Sequence, residues 1–326
     1  MMTRFALLDL IARARLDAHT SSRLWQMAGY ERPPGALLPR LRTGLALFGA
    51  GCAGLGLLFW VAANWGVLSR FQQFALLQTL VAVLCGGAVA WPRARAPFGL
   101  LALVAVGGLF ACFGQTYQTG ADPWQLFALW AGLTLPLAAG VRSDAVWTAW
   151  SVVALIAVTL WDRSHLRSLW DSGRGAEGVH ALAMLMAGLL TAAMSARWRR
   201  LSGAGRWAFG TALVLSMAFV TGMALLDLDG ASHPVYFLGL LAAGGAAIAF
   251  AVQAPFDVFA ASVAALALNI LLVAGLAVLL LSGSMTTSAT ILMLLVIGLV
   301  AAGLLAGTAK IILDLARRPM AQGGTA

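Results

Sequence analysis

The chain has 326 residues, 61% hydrophobic and only 10% charged, with a mean hydropathy of +0.89. Soluble domains carry about 25% charged residues, so a soluble fold is excluded: this much apolar side chain could not be covered by so little polar surface. The net charge of +9 is arginine in all but one basic residue, and its placement in short polar breaks fits membrane-protein loops rather than a nucleic-acid-binding face.

Residues 1–42 form an arginine-rich preface. Phe5, Leu8, Ile11 and Ala12 fall at helical spacing and predict a short amphipathic helix. Asp17 or Thr20 can cap a second helix running through Leu24, Met27 and Ala28, which Gly29 and Pro33-Pro34 end. The pair reads as a cytoplasmic helical hairpin. It lies on the inner membrane face or docks a partner protein, since both use the same amphipathic physics. No cleavable signal peptide is visible, so the first span is expected to act as an uncleaved signal anchor.

An apolar run of about 20 residues crosses a bilayer core of about 30 Å. Ten such runs are predicted, at 44–63, 73–91, 98–114, 124–140, 145–161, 178–195, 207–226, 234–252, 258–281 and 286–308. Pro136 interrupts the fourth and His180 opens the sixth. With the N-terminus inside, seventeen basic residues fall in inner segments and four in outer ones. That bias predicts cytoplasmic termini and an even number of spans. The predicted organisation is a hairpin (1–42), a first bundle of spans one to five (43–161), a periplasmic loop (162–177), a second bundle of spans six to ten (178–309) and a cytoplasmic tail (310–326). Gly49, Ala53 and Gly56 in the first span, and Gly239, Ala243 and Ala247 in the eighth, form small-residue stripes suited to close helix packing.

Cys52, Cys85 and Cys112 lie in apolar runs, odd in number and at no metal spacing. They read as packing residues, and no disulfide framework, zinc site or other cofactor is expected. No Asp, Glu, Lys or Arg falls mid-span, which argues against a proton-driven pump. Asn269 is the clearest mid-membrane polar side chain and is expected to hydrogen-bond between helices, while Asp257 is expected to cap span nine.

Polar residues collect instead at the outer face. Gly114-Gln115-Thr116-Tyr117-Gln118-Thr119-Gly120-Ala121-Asp122 joins spans three and four, and span one ends on the same side at Asn64-Trp65. The fifth break adds Asp162, Arg163 and His165, and the seventh adds Asp227, Asp229 and His233. Three readings compete. One is an interfacial belt of Trp65, Tyr117, Trp124, Trp161 and Trp170. Another is a pocket for a lipid headgroup, glycan or small polar solute, built from Asn64, Trp65, Gln115, Tyr117, Gln118 and Asp122. The third is a metal or haem site of His165, His180 and His233, whose spacing does not support it. Nucleophile elbow, zinc-protease, phosphate-loop and dinucleotide signatures are all missing. An enzyme would need Asp162, His165, Asp227 and His233 to converge.

Three features resemble a known bacterial family, the predicted membrane proteins of domain of unknown function 2157. They are the hairpin leading into a Gly-rich first span, the exit Phe59-Trp60-Val61-Ala62-Ala63-Asn64-Trp65, and the stretch Gly114–Asp122 followed by Leu126-Phe127-Ala128-Leu129-Trp130. The resemblance covers about residues 5–160. It implies a bacterial inner-membrane location and no particular activity. The expected protein is an all-α polytopic membrane protein of about ten spans that binds or moves a lipid-like or small polar ligand. The alternative is a scaffold subunit docking through its hairpin. Membrane lipids, and a protein partner at the hairpin, are the expected partners.

Overall fold

The computed structural model describes residues 4–14, 16–28, 37–64, 66–117, 120, 122–169, 176–229, 233–253, 256–282 and 287–321. The chain divides into two compact units, Met1–Cys52 and Ala53–Ala326, with the division falling inside one long helix.

The first unit contains α1 (Arg4–Arg13), α2 (Ala18–Met27) and the start of α3 (Leu37–Ala63). Asp17 is the N-cap of α2, where its side chain accepts from the Thr20 N–H at 3.4 Å. This satisfies one of the donors a helix start leaves without an internal partner. No residue of α2 is buried. In α1 an exposed Asp9–Arg13 pair, one helical turn apart, closes at 2.8 Å. The predicted stop at Gly29 and Pro33-Pro34 lies outside the described residues.

The second unit continues with α4 (Arg70–Ala90), α5 (Arg95–Tyr117), α6 (Pro123–Val141), α7 (Asp144–Leu169) and α8 (Ala176–Ala193). It then runs through α9 (Arg199–Ser202), α10 (Arg206–Leu226), α11 (Pro234–Val252), α12 (Val258–Leu281) and α13 (Thr287–Ala321). No strand occurs among the described residues. Each predicted span falls on one of these long helices. Eight of the helices, α4 to α7 and α10 to α13, are long and apolar enough to cross a membrane. The apolar part of α8, Glu177–Ala193, is shorter. The protein is therefore an all-helical, multi-pass membrane protein.

Its centre is the pair α7 and α10. Helix α7 packs on α5, α6, α8 and α10, while α10 packs on α7, α8, α11 and α12. Half of the α7 span (50%) and 44% of the α10 span are buried, against 6% for α13, so the first two form the core and α13 lies at the edge. Small residues let α10 approach: Ala204, Ala208 and Ala212, one turn apart, are fully buried.

With little hydrophobic drive between helices in lipid, polar contacts help fix the packing. The Trp130 indole of α6 donates to the Leu103 carbonyl of α5 at 2.9 Å, and Trp150 of α7 donates to the Ala131 carbonyl of α6 at 2.8 Å. Trp147 of α7 donates to the Ser202 carbonyl at 2.7 Å. The Asp144 carboxylate, at the start of α7, accepts from the Gly205, Trp207 and Ala208 N–H groups at 2.8, 3.1 and 2.9 Å, capping α10 from another helix. Buried Thr191 of α8 and Ser216 of α10 share a hydrogen bond of 2.8 Å. Tyr236 of α11 donates to the Leu271 carbonyl of α12 at 2.9 Å, and Gly275 leaves room for its ring.

Asn269 does bond between helices, donating to Thr308 Oγ1 of α13 at 3.0 Å. Asp257 caps α12 through the Phe259 and Ala260 N–H groups. Pro136 does not interrupt α6, which runs on to Val141. In lipid a helix tolerates proline where neighbours and Ser/Thr side chains satisfy the freed backbone groups. In the eighth span's stripe, Gly239 meets the Ala224 methyl and Ala243 is fully buried. In α3, Gly54 rather than Gly56 meets a neighbour, the Leu101 side chain.

Candidate functional site

The C-terminal end of α7 gathers the polar chemistry of the second unit. The helix does not stop near Trp161 but continues to Leu169, so Asp162, Arg163, Ser164 and His165 are helical residues. At 100° per residue they point in different directions.

One direction meets α8. Asp162 is fully buried, and His180 Nδ1 donates to its Oδ1 at 2.8 Å. His180 is itself 7% exposed. Asp162 Oδ2 is buried with no hydrogen-bond partner among the described residues, where this single contact is what offsets the desolvation of the carboxyl. From the sequence, Asp162 falls in the fifth polar break and His180 opens the sixth span, and nothing there pairs them. They are 18 positions apart and match no local motif.

A second direction meets α6. His165 Nδ1 donates to the Trp161 carbonyl at 2.9 Å, and its ring lies 4.6 Å from that of Trp161 and 5.9 Å from that of Trp124. The Trp124 indole N–H is buried without a partner among the described residues. The N-terminus of α6 and the C-terminus of α7 thus share one end of the bundle.

The third direction meets α10. Val152, Leu155, Ile156, Thr159 and Arg163 form a stripe along α7 at helical spacing. Facing it on α10 are Leu215, Ala218, Phe219, Gly222, Met223 and Leu226. The two helices are clamped near Asp144 and Ala208, and at the other end they leave a groove of about 350 Å³. Buried Leu155 and Met223 make its floor, while Ile156, Arg163, Ala218 and Leu226 are exposed at its rim. Thr159 donates its hydroxyl to the Leu155 carbonyl of its own helix at 2.9 Å. Among the described residues, Arg163 is the one charged side chain of the lining.

The residues singled out from the sequence take different positions. Asn64, half-buried, donates its amide to the Trp60 carbonyl one turn back at 2.9 Å. Tyr117 is 59% exposed and packs its ring on Phe113 and Phe74, at 4.8 and 5.9 Å between centroids. Gln115 and Asp122 are exposed. Asp122 occupies the N-cap position of α6 without a side-chain bond to it. Trp65 and Gln118 lie outside the described residues. No hydrogen bond joins Asn64, Gln115, Tyr117 and Asp122 to one another among the described residues, and Gly114 to Tyr117 are helical rather than loop.

His165, His180 and His233 do not converge: each bonds a different partner, and no group of three metal-ligating side chains occurs among the described residues. Asp227 binds the start of α11, its Oδ2 accepting from the Tyr236 N–H at 3.0 Å, and its carbonyl accepts from His233.

No curated protein and no solved structure matches the chain. Residues 8–147, from α1 into the first turn of α7, match the family described as Predicted membrane protein (DUF2157).

Proposed function

We propose that this chain is a bacterial inner-membrane protein with ten spans and cytoplasmic termini, which binds a lipid-like ligand from the outer leaflet between α7 and α10. The groove carries this reading. Its volume of about 350 Å³ falls among ligand sites, which run from about 300 to 1,000 Å³. Its walls are apolar, its rim is open, and its polar groups sit towards one end. From Val152 to Arg163 it runs about 16 Å along α7, close to half of a hydrocarbon core of about 30 Å. The positive-inside bias supports placing the Arg163 end outside. Gln115, Tyr117 and Asp122, exposed towards the same end, offer further polar contacts at headgroup level.

Gly222 supplies a clean test. It lines the groove, and an added Cβ there meets nothing within 4 Å. Gly222→Leu is expected to fill the groove without disturbing the helix, since leucine is the better helix former. Native mass spectrometry of protein released in mild detergent is expected to show one retained lipid-sized adduct, lost in Gly222→Leu. An adduct retained equally by a folded Gly222→Leu would refute the groove as the site.

A second reading, a membrane subunit docking through its N-terminal helices, is favoured by α2, which buries no residue and exposes 78% of Met27. Removing residues 1–30 is then expected to release a co-purifying protein. Retention of that protein by the truncated chain would count against docking there.

A further inference from the structure

Resting on the groove reading, we infer that the ligand is an anionic amphiphile: a single acyl chain lies between α7 and α10, and its anionic headgroup is held by Arg163. Arg163 is exposed at the groove end, and no carboxylate lies within 4.0 Å of it among the described residues. The two acids nearest along these helices are both committed elsewhere. Asp162, the adjacent residue, is turned into the protein and held by His180. Asp227, just past Leu226, is held by the N-terminus of α11.

Among the described residues, the lining therefore carries one positive charge and no negative one. An anionic headgroup completes that charge. A zwitterionic headgroup brings an ammonium for which the groove has no carboxylate. Arginine also suits the role by shape, because its planar fork meets a phosphate or carboxylate through two parallel hydrogen bonds. Its stem packs along the apolar wall while the charge stays at the interface. With the guanidinium at headgroup depth, the remaining length of the groove reaches about the bilayer midplane. That length suits one acyl chain.

The test uses full-length protein stripped of lipid in detergent and titrated with phosphatidylglycerol or phosphatidylcholine, with adducts counted by native mass spectrometry. The wild type is expected to hold one phosphatidylglycerol about tenfold more tightly than phosphatidylcholine, the ratio one added ion pair would give. Arg163→Gln is expected to bring the two lipids level, and Arg163→Lys to keep part of the preference. Gly222→Leu is expected to remove both. Equal wild-type binding of the two lipids, with loss of both in Gly222→Leu, would overturn the anionic headgroup and leave the groove standing. A preference that survives Arg163→Gln would overturn Arg163 as its source. Binding of either lipid that Gly222→Leu does not touch would overturn the groove as well.

Discussion

Replacing one member of the Asp162–His180 pair should destabilise the protein far more than replacing both. Asp162 is fully buried, His180 is 7% exposed, and they share one contact of 2.8 Å. Among the described residues Asp162 Oδ2 has no partner, so loss of His180 removes the one hydrogen bond this buried carboxyl makes there. Breaking a buried pair from one side costs about 3–5 kcal/mol, whereas apolar replacement of both partners is often neutral or stabilising. His180→Phe is expected at the upper end of that range. Asp162→Leu is expected lower, because a buried carboxyl is the costlier group to leave without a partner. The double variant Asp162→Leu/His180→Phe is expected to recover most of the loss. The double-mutant cycle then gives a coupling above about 1.5 kcal/mol. Equilibrium unfolding in mixed detergent micelles, followed by far-ultraviolet circular dichroism, measures all four proteins. Single variants within about 1 kcal/mol of wild type, or costs that simply add, would refute the claim that this pair fixes α7 to α8.

Asp144→Ala removes the acceptor of three helix-start N–H groups. It is expected to cost about 2–4 kcal/mol in the same unfolding assay, with Asp144→Asn costing less; an unchanged midpoint would contradict the capping role. Gly275→Ala drives a methyl into the Tyr236 hydroxyl, and overpacking of this kind costs about 1–3 kcal/mol. Gly298→Ala, where an added Cβ meets nothing within 4 Å, is the matched control and should be neutral or slightly stabilising. The side-chain hydrogen bond from Thr20 holds the Asp17 carboxyl below its ordinary value of 3.8. Because the folded value is the lower one, the cap stabilises α2 above pH 3.8 and is lost as pH falls through the folded value. The Thr20 amide proton resonance should therefore titrate with a midpoint below 3.8, and a flat shift would contradict the cap.

Helix positions were readable because hydropathy is a local, one-dimensional property. The predicted limits of α11 and α12 coincide with the observed ones, Pro234–Val252 and Val258–Leu281. Reading failed where polar residues remain helical. Asp162 and His165 resemble the start of a wet loop, yet one is neutralised by a helix 18 residues on and the other bonds its own helix. Likewise α5 runs on to Tyr117, whose ring rests on Phe113 and Phe74. The indole hydrogen bonds of Trp130, Trp147 and Trp150 have no local signature, because their carbonyl acceptors lie on other elements. The groove left no local signature. Both its walls are apolar stripes like those of any packed helix, and only the tertiary arrangement of α7 and α10 shows the groove between them.

The most direct test is an experimental structure of the protein in a lipid nanodisc made from phosphatidylglycerol and phosphatidylcholine. The account predicts elongated density along the groove from Val152 to Arg163, with headgroup density against the guanidinium. A groove closed by side chains of α7 and α10, or left empty while ordered lipid sits elsewhere on the protein, would contradict it.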